Sequence, residues 1–312
     1  MTGAAITSPA RARATTTPSI GPSRHRAATH RAARPLHSSN ETKEAITAPF
    51  LGQDIEVKGR FAPSPTGRLH LGNLRTALVA WLFARSTGSQ FVVRMDDLDP
   101  VTSRREHGAA QLADMAALGL DWDEDVVWQS ERAHLYSAAF DRLAAAGLVY
   151  PCYCTRREIL SAAQAPNGPS TDTTYPGTCR TLTDRDRERR EAEGRRPAWR
   201  LRSSGESVAF TDVIAGRYEM VVDDVVLRRN DGVHAYNLAV VVDDAEQRLE
   251  QVVRADDLLS STPRQIHLAR LLELPPMSYA HVPLVLGPTG ARLAKRDGGQ
   301  DLPAGAQYGK DA

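Results

Sequence analysis

Apolar residues first recur with a recognisable period after residue 58. Arg60-Phe61-Ala62 reads as a short strand, stopped by Pro63 and Pro65, which cannot donate to a ladder. Residues 67–72 form a turn. Leu74, Ala77, Leu78, Trp81 and Leu82 then recur at helical spacing, predicting a helix capped by Asn73 and running to about Ser86. Gly88 stands where a C-terminal cap belongs. Residues 90–95 read as a second strand, so the order strand, loop, helix, strand calls for a parallel sheet with a right-handed crossover. Further helices are predicted over 103–118 and 131–146.

Residues 151–216 break that rhythm. They contain all three cysteines, a turn-rich stretch over 165–177 and a charged helix-like run over 184–196. The pattern resumes near Val225, with a helix over 236–242, a strand over 250–254, a helix over 262–272 and an apolar stretch over 279–286. A Gly-rich loop follows, and no internal repeat is present. The expectation is one α/β domain in two halves, 58–150 and 225–312, separated by an insertion over 151–224 and preceded by a tail over 1–57.

Composition sharpens that division. Residues 1–40 contain six Arg, many Ala, Ser, Thr and Pro, and no Asp, Glu or Lys. With so few large aliphatics, they cannot bury enough surface to offset ordering entropy. The stretch has the make-up of an organellar transit peptide. A disordered tail, or a start codon set too early, is favoured over that reading because no amphipathic Arg/Leu helix emerges. Residues 1–57 hold 7 basic and 4 acidic groups, a charge of +3, so a chain of net +1 leaves −2 on the rest. Such balance excludes a histone-like binder, though not a local basic face. The longest apolar run, 77–84, is far too short to cross a bilayer, so no membrane partner is expected.

Three cysteines within 28 positions, Cys152, Cys154 and Cys179, suit metal ligation in a reducing, cytoplasmic compartment better than a disulfide framework. Three thiolates can hold Zn²⁺, and a tetrahedral structural site wants a fourth ligand. Spacing alone leaves that place open. Reduced buried cysteines and a site completed by water compete, and Asp172 is a fallback ligand.

Two stretches carry candidate phosphate chemistry. In Arg60-Phe-Ala-Pro-Ser-Pro-Thr-Gly-Arg-Leu-His70-Leu-Gly72-Asn73, a strand runs through a loop into a helix N-terminus, where unpaired N–H groups and the helix dipole favour anions. His70 can donate to phosphate oxygens as charge develops, and Gly72 leaves room for a nucleotide against the backbone. In Gly287-Pro-Thr-Gly-Ala-Arg292-Leu-Ala294-Lys295-Arg296, a Gly-rich loop presents three cations suited to clamping a polyphosphate. Taken alone, each reads more simply as a capped surface helix and a solvated basic turn.

Together, in this order around an interrupted α/β domain, they resemble the His-Ile-Gly-His and Lys-Met-Ser-Lys-Ser signatures of class I aminoacyl-tRNA synthetases. Val93-Arg-Met-Asp-Asp-Leu-Asp-Pro100, Tyr236-Asn-Leu-Ala-Val-Val-Val-Asp-Asp244 and Val252-Val-Arg-Ala-Asp-Asp-Leu258 are similar to the glutamyl branch, over roughly residues 58–300. The resemblance implies a Rossmann-type parallel-sheet catalytic domain interrupted by a zinc-binding insertion. It implies that L-glutamate is bound by Arg60, Phe61, Ala62, Pro63, Ser64, Asp96, Tyr236 and Arg254, and ATP by His70, Gly72, Asn73 and Lys295. His70 and Lys295 would be catalytic. The branch's Cys-x-Cys…Tyr-x₃-Cys pattern nominates Tyr175 beside Cys152, Cys154 and Cys179 as ligands of one structural Zn²⁺. Asp96 stands where the branch usually has Glu; Asn73 replaces the last His of the first signature, and Arg292 and Ala294 replace Lys and Ser of the second.

Only sixteen residues follow Arg296, too few for an anticodon-binding region. This brevity is similar to the short members of the branch, which attach glutamate to the queuosine wobble base of tRNA(Asp). The expected partners are therefore L-glutamate, ATP with Mg²⁺, and queuosine-containing tRNA(Asp), acting on a monomer. Even those members continue further, so a truncated C-terminus is expected. Two alternatives stand beside this reading: a fragment of a synthetase charging tRNA(Glu), and an inactive synthetase-derived module that binds RNA or a protein partner.

Overall fold

The computed structural model describes residues 58–163 and 175–286, with backbone only at 161–163. Its elements, in order, are β1 (Gly59–Phe61), α1 (Leu71–Arg85), β2 (Phe91–Met95), α2 (Arg105–Ala117), β3 (Val127–Trp128), α3 (Ala133–Ala145) and β4 (Val149–Cys152). Next come α4 (Arg156–Ala163), α5 (Asp184–Ala192), β5 (Ala198–Leu201), β6 (Ser207–Asp212), β7 (Gly216–Val221) and β8 (Val226–Arg228). The described chain closes with α6 (Tyr236–Glu246), β9 (Gln251–Ala255), α7 (Thr262–Leu271) and β10 (Ser278–Val282). The lysine loop and the Asp172 fallback lie outside the described residues.

Five strands form one parallel sheet in the order β10-β9-β1-β2-β3, the α/β architecture expected. Placing β1 between β2 and β9 puts Arg60 opposite both Val92 and Val252, and so joins the two halves of the chain. Every residue of β2 is buried, as a central strand covered on both faces demands. On one side Phe61, Ala77, Ala80, Ala84, Phe91, Val93, Met95 and Val253 pack into a core beneath α1. A second core gathers Phe140, Leu143, Leu201, Leu227, Leu238 and Leu268 from α3, β5, β8, α6 and α7.

Helix α1 departs from its expected form in two ways. It starts at Leu71 with His70, not Asn73, as its cap. Its inward residues are Leu74, Ala77, Ala80 and Ala84, while Leu78 and Leu82 are 42% and 48% exposed. Close packing explains the choice of small residues: a Cβ added at Gly59 would lie 3.3 Å from that of Ala84, leaving no room for a leucine there. Gly88, at φ 71°, does end the helix in the left-handed region that favours glycine.

The insertion is richer in strands than its composition suggested. An antiparallel sheet, β4-β5-β8, carries the chain into and out of it. A hairpin of β6 and β7 reaches back to the parallel sheet, where the Val213 N–H donates to the Tyr279 carbonyl at 2.9 Å. The charged run forms only α5, closed at its start by a Thr183–Asp186 capping box. Among the described residues, no helix is long and apolar enough to cross a membrane.

Candidate active site

The loop after β1 and the end of β9 enclose a cavity of about 350 Å³. Of the residues expected from sequence, Arg60, Phe61, Ala62, Pro63, Ser64, His70, Asn73 and Arg254 all line it. They converge because β1 and β9 are neighbours, so the chain leaving each strand emerges at the same end of the sheet. Its walls also carry Arg68 and Asp257, which lie within the motifs without an expected role, and Thr76 and Gln111, which lie outside them. Gln111 shapes the loop by donating to the carbonyls of Ser64 and Gly67 at 3.1 and 2.7 Å.

Two arginines set the charge of the cavity. Arg60 is only 3% exposed; its Nε faces Asp244 Oδ1 and its Nη1 the Val253 carbonyl, each at 3.4 Å. Arg254 is 4% exposed, with Nε directed at His281 and Nη2 at Thr262. Arg254 Nη1 is buried and has no hydrogen-bond partner among the described residues. A buried donor left unsatisfied is costly, so this edge of the guanidinium is suited to receive an anionic oxygen.

Asp96 sits at the end of β2, buried, with Oδ1 accepting from Arg94 Nε at 2.8 Å. Burial pushes its carboxyl up to about 6 despite the attraction of that guanidinium. Arg94 in turn donates to Asp244 at 2.6 Å and approaches Asp243 at 3.8 Å, so one fully buried cation ties three carboxylates together. Burial alone would raise the Asp244 carboxyl, but Arg60 and Arg94 outweigh it and hold the group below its ordinary value. Arg94 and Asp244 both lie within the motifs, and the structure adds their role as a support for the site. Their wide sequence separation hides the pairing.

His70 is turned by its own helix. Nδ1 accepts from the Gly72 and Asn73 backbone N–H groups at 3.1 and 3.4 Å, which places the proton of the neutral ring on Nε2. Gly72 has a reason beyond nucleotide access, since a Cβ there would meet the His70 ring at 3.0 Å. Beyond these residues the wall continues through Pro283, Leu284 and Val285. Tyr236 is half-buried at the start of α6 and packs on the second core; neither it nor Asp96 lines the cavity. Lys295 lies outside the described residues.

In the insertion, the Sγ atoms of Cys152, Cys154 and Cys179 lie within 4.8 Å of one another, a cluster able to hold a metal ion. Tyr175 joins it: its hydroxyl lies 3.3 Å from Cys152 Sγ and accepts the Cys179 N–H at 2.8 Å. Arg200 lies over the Tyr175 ring at 3.8 Å and fixes it from behind.

A family model described as tRNA synthetases class I (E and Q), catalytic domain, matches residues 56–308. The chain belongs to that family. It is 58% identical over 265 residues to the glutamyl-Q tRNA(Asp) synthetase of Nocardia farcinica, spanning 85% of this chain and 83% of that one. Identity to the protein of the same name from Symbiobacterium thermophilum is 50% over 256 residues, covering 78% and 79% of the two chains. Among solved structures, a glutamate tRNA ligase from Elizabethkingia meningosepticum, crystallised with its amino acid, matches with a TM-score of 0.67 at 28% identity. That match covers 78% of this chain and 53% of the ligase. As a class I family member, the chain is a ligase with the parallel-sheet catalytic fold described above.

Proposed function

We propose that this chain activates L-glutamate with ATP and transfers the glutamyl group to the queuosine wobble base of tRNA(Asp). The observation that carries the chemistry is the pairing of two buried guanidiniums, Arg60 and Arg254, on one cavity whose rim is the N-terminus of α1. An amino acid with two carboxylates suits two cations, and among the described residues Arg254 Nη1 has no hydrogen-bond partner. Ser64, on the cavity wall, is assigned to the same ligand as a hydroxyl donor; Tyr236 and, for the ammonium, ionised Asp96 are assigned by the family resemblance, both standing outside the cavity lining. The names of the relatives direct the acceptor toward queuosine rather than a tRNA 3′ end.

The α-carboxylate of glutamate attacks the α-phosphorus of ATP, forming glutamyl-adenylate and releasing pyrophosphate. His70 Nε2–H and the dipole of α1 neutralise charge building on the phosphate oxygens. Lys295 is assigned to those phosphates and Mg²⁺ to the ATP substrate. A queuosine hydroxyl then attacks the glutamyl carbonyl and AMP leaves. Positioning and charge neutralisation, rather than covalent catalysis by the chain, supply the rate.

Zinc is assigned to Cys152, Cys154 and Cys179, with Tyr175 at the fourth place. Ligand distances of about 2.3 Å set tetrahedral sulfurs about 3.8 Å apart, and the Cys154 and Cys179 sulfurs already stand 3.4 Å apart. The ion would clamp the insertion. Glutamate-dependent ATP–pyrophosphate exchange without tRNA tests the activation step; its absence from folded, zinc-loaded protein overturns it. Labelled glutamate should then map to the queuosine base of tRNA(Asp). A label at the 3′ end of queuosine-free tRNA(Glu) would assign the chain to tRNA(Glu) charging instead.

A further inference from the structure

Arg254 is held in place by side chains that the proposed reaction does not use. Its Nε donates to His281 Nε2 at 3.1 Å, and its Nη2 to Thr262 Oγ1 at 2.7 Å. His281 stands directly opposite Arg254 in the parallel register of β9 and β10. The other ring nitrogen, Nδ1, lies 2.6 Å from Asp212 Oδ2, and the His281 backbone N–H donates to Asp212 Oδ1 at 3.1 Å. Asp212 comes from elsewhere in the chain. It closes the β6–β7 hairpin of the insertion, where the same Oδ1 accepts from the Ile214 and Ala215 N–H groups at 3.0 and 2.8 Å. Asp212, His281, Thr262 and Arg254 are all buried.

The donors and acceptors permit one protonation pattern. Arg254 has only donors, so the His281 nitrogen facing it must carry a lone pair. Neutral imidazole then carries its proton on Nδ1, and the carboxylate of Asp212 fixes that tautomer. Burial and the adjacent Arg254 charge both lower the His281 pKa, which favours the neutral ring. Burial opposes the Asp212 charge, but the Ala215 N–H and the bond to His281 outweigh it and keep this carboxyl below its ordinary value.

We propose that Asp212 and His281 are positioning residues for the substrate. The inserted hairpin sets the histidine tautomer, the histidine sets the plane of Arg254, and Nη1 is thereby aimed at the carboxylate. This rests on the reading of Arg254 as a glutamate ligand, and it gives part of the insertion a place in amino-acid recognition. In Asp212→Asn, the new amide oxygen still serves the hairpin N–H groups, while its NH₂ faces His281 Nδ1. The tautomer inverts, and an N–H then confronts Arg254 Nε–H.

Steady-state exchange kinetics test the relay, with glutamate and ATP varied separately in the full-length chain. Asp212→Asn and His281→Ala should each raise the glutamate KM by about tenfold, as expected when one charge-assisted contact is misaligned. The ATP KM should change by less than about twofold. The double variant should be no worse than His281→Ala, because both changes break one chain of contacts. His281→Gln should recover most of the loss, its amide oxygen reaching toward the position of Nε2. Glutamate KM unchanged in a folded variant, or an equal rise in both KM values, overturns the proposal. Asp212→Asn keeps the test decisive if His281→Ala does not fold. Arg254→Ala separates the two levels: an unchanged glutamate KM there overturns the ligand reading and the relay together. A large rise there with silent Asp212 and His281 variants overturns the relay alone.

Discussion

A guanidinium kept out of water beside a cavity suits an anion, and among the described residues Arg254 Nη1 has no hydrogen-bond partner. Removing it should cost the bound carboxylate about 2–3 kcal/mol, so Arg254→Ala is expected to raise the glutamate KM on the order of 100-fold in the exchange assay. Asp96 supplies a sign that pH can check. Its carboxyl is raised from the ordinary 3.8 to about 6, so it loses its charge as pH falls through that value. An ammonium partner is then lost, and the glutamate KM should climb below pH 6 yet stay level above it. Asp96→Asn should abolish that climb; persistence of the climb would assign it to another group. Asp244 has a structural duty, since its loss leaves Arg60 and Arg94 buried without a shared counter-charge. Asp244→Ala should destabilise the fold by about 3–5 kcal/mol in urea titration. At this scale most cavity-lining residues lay inside contiguous motifs, whereas Thr76 and Gln111 lay outside them. The roles of Asp244 and His281 were not legible, because a partner distant in sequence leaves no local pattern.

Helix α1 shows how an element can be predicted in place and mistaken in detail. Propensity rules favour Asn over His at a cap, and periodicity favours Leu over Ala at a core position. Tertiary packing reverses both, because the helix lies too close to β1 for leucine and the His70 ring folds over Gly72. The cap and the chemistry of His70 can therefore be separated. His70→Asn keeps a good cap but lacks Nε2–H; it should retain melting temperature while exchange kcat drops by about 10²-fold, the scale of one lost transition-state donor. His70→Ala should lose the same activity and also about 1 kcal/mol of stability. Equal stability losses in both variants would count against the cap. The strands β5, β6 and β7 leave no clear signal in the sequence because charged and turn-forming residues of the insertion mask their short alternation. Their partners are supplied by antiparallel neighbours rather than by a crossover helix.

The whole molecule joins two halves of a sheet through an insertion whose own packing is small. Its third core consists largely of Tyr150, Cys152, Tyr153, Tyr175 and Cys179, so few apolar side chains support it without a metal. Cys179→Ala is expected to lower bound zinc from about one per chain to a small fraction, and the melting temperature by at least about 5 °C. Metal analysis and calorimetry check both; full zinc and an unchanged melting point would refute the site. The broken hydrophobic rhythm coincides with the antiparallel strands that follow β4. The reach of the hairpin to β10 was not legible in the sequence, since Asp212 and His281 are 69 positions apart. The place of β1 also bears on synthesis. Its partner Gln251 is added about 190 residues after Gly59, roughly 10 to 40 s at 5–20 residues per second on a ribosome. For that interval one edge of β1 and the apolar faces around it lack their cover, so each nascent chain passes through a window in which chaperone capture competes with aggregation.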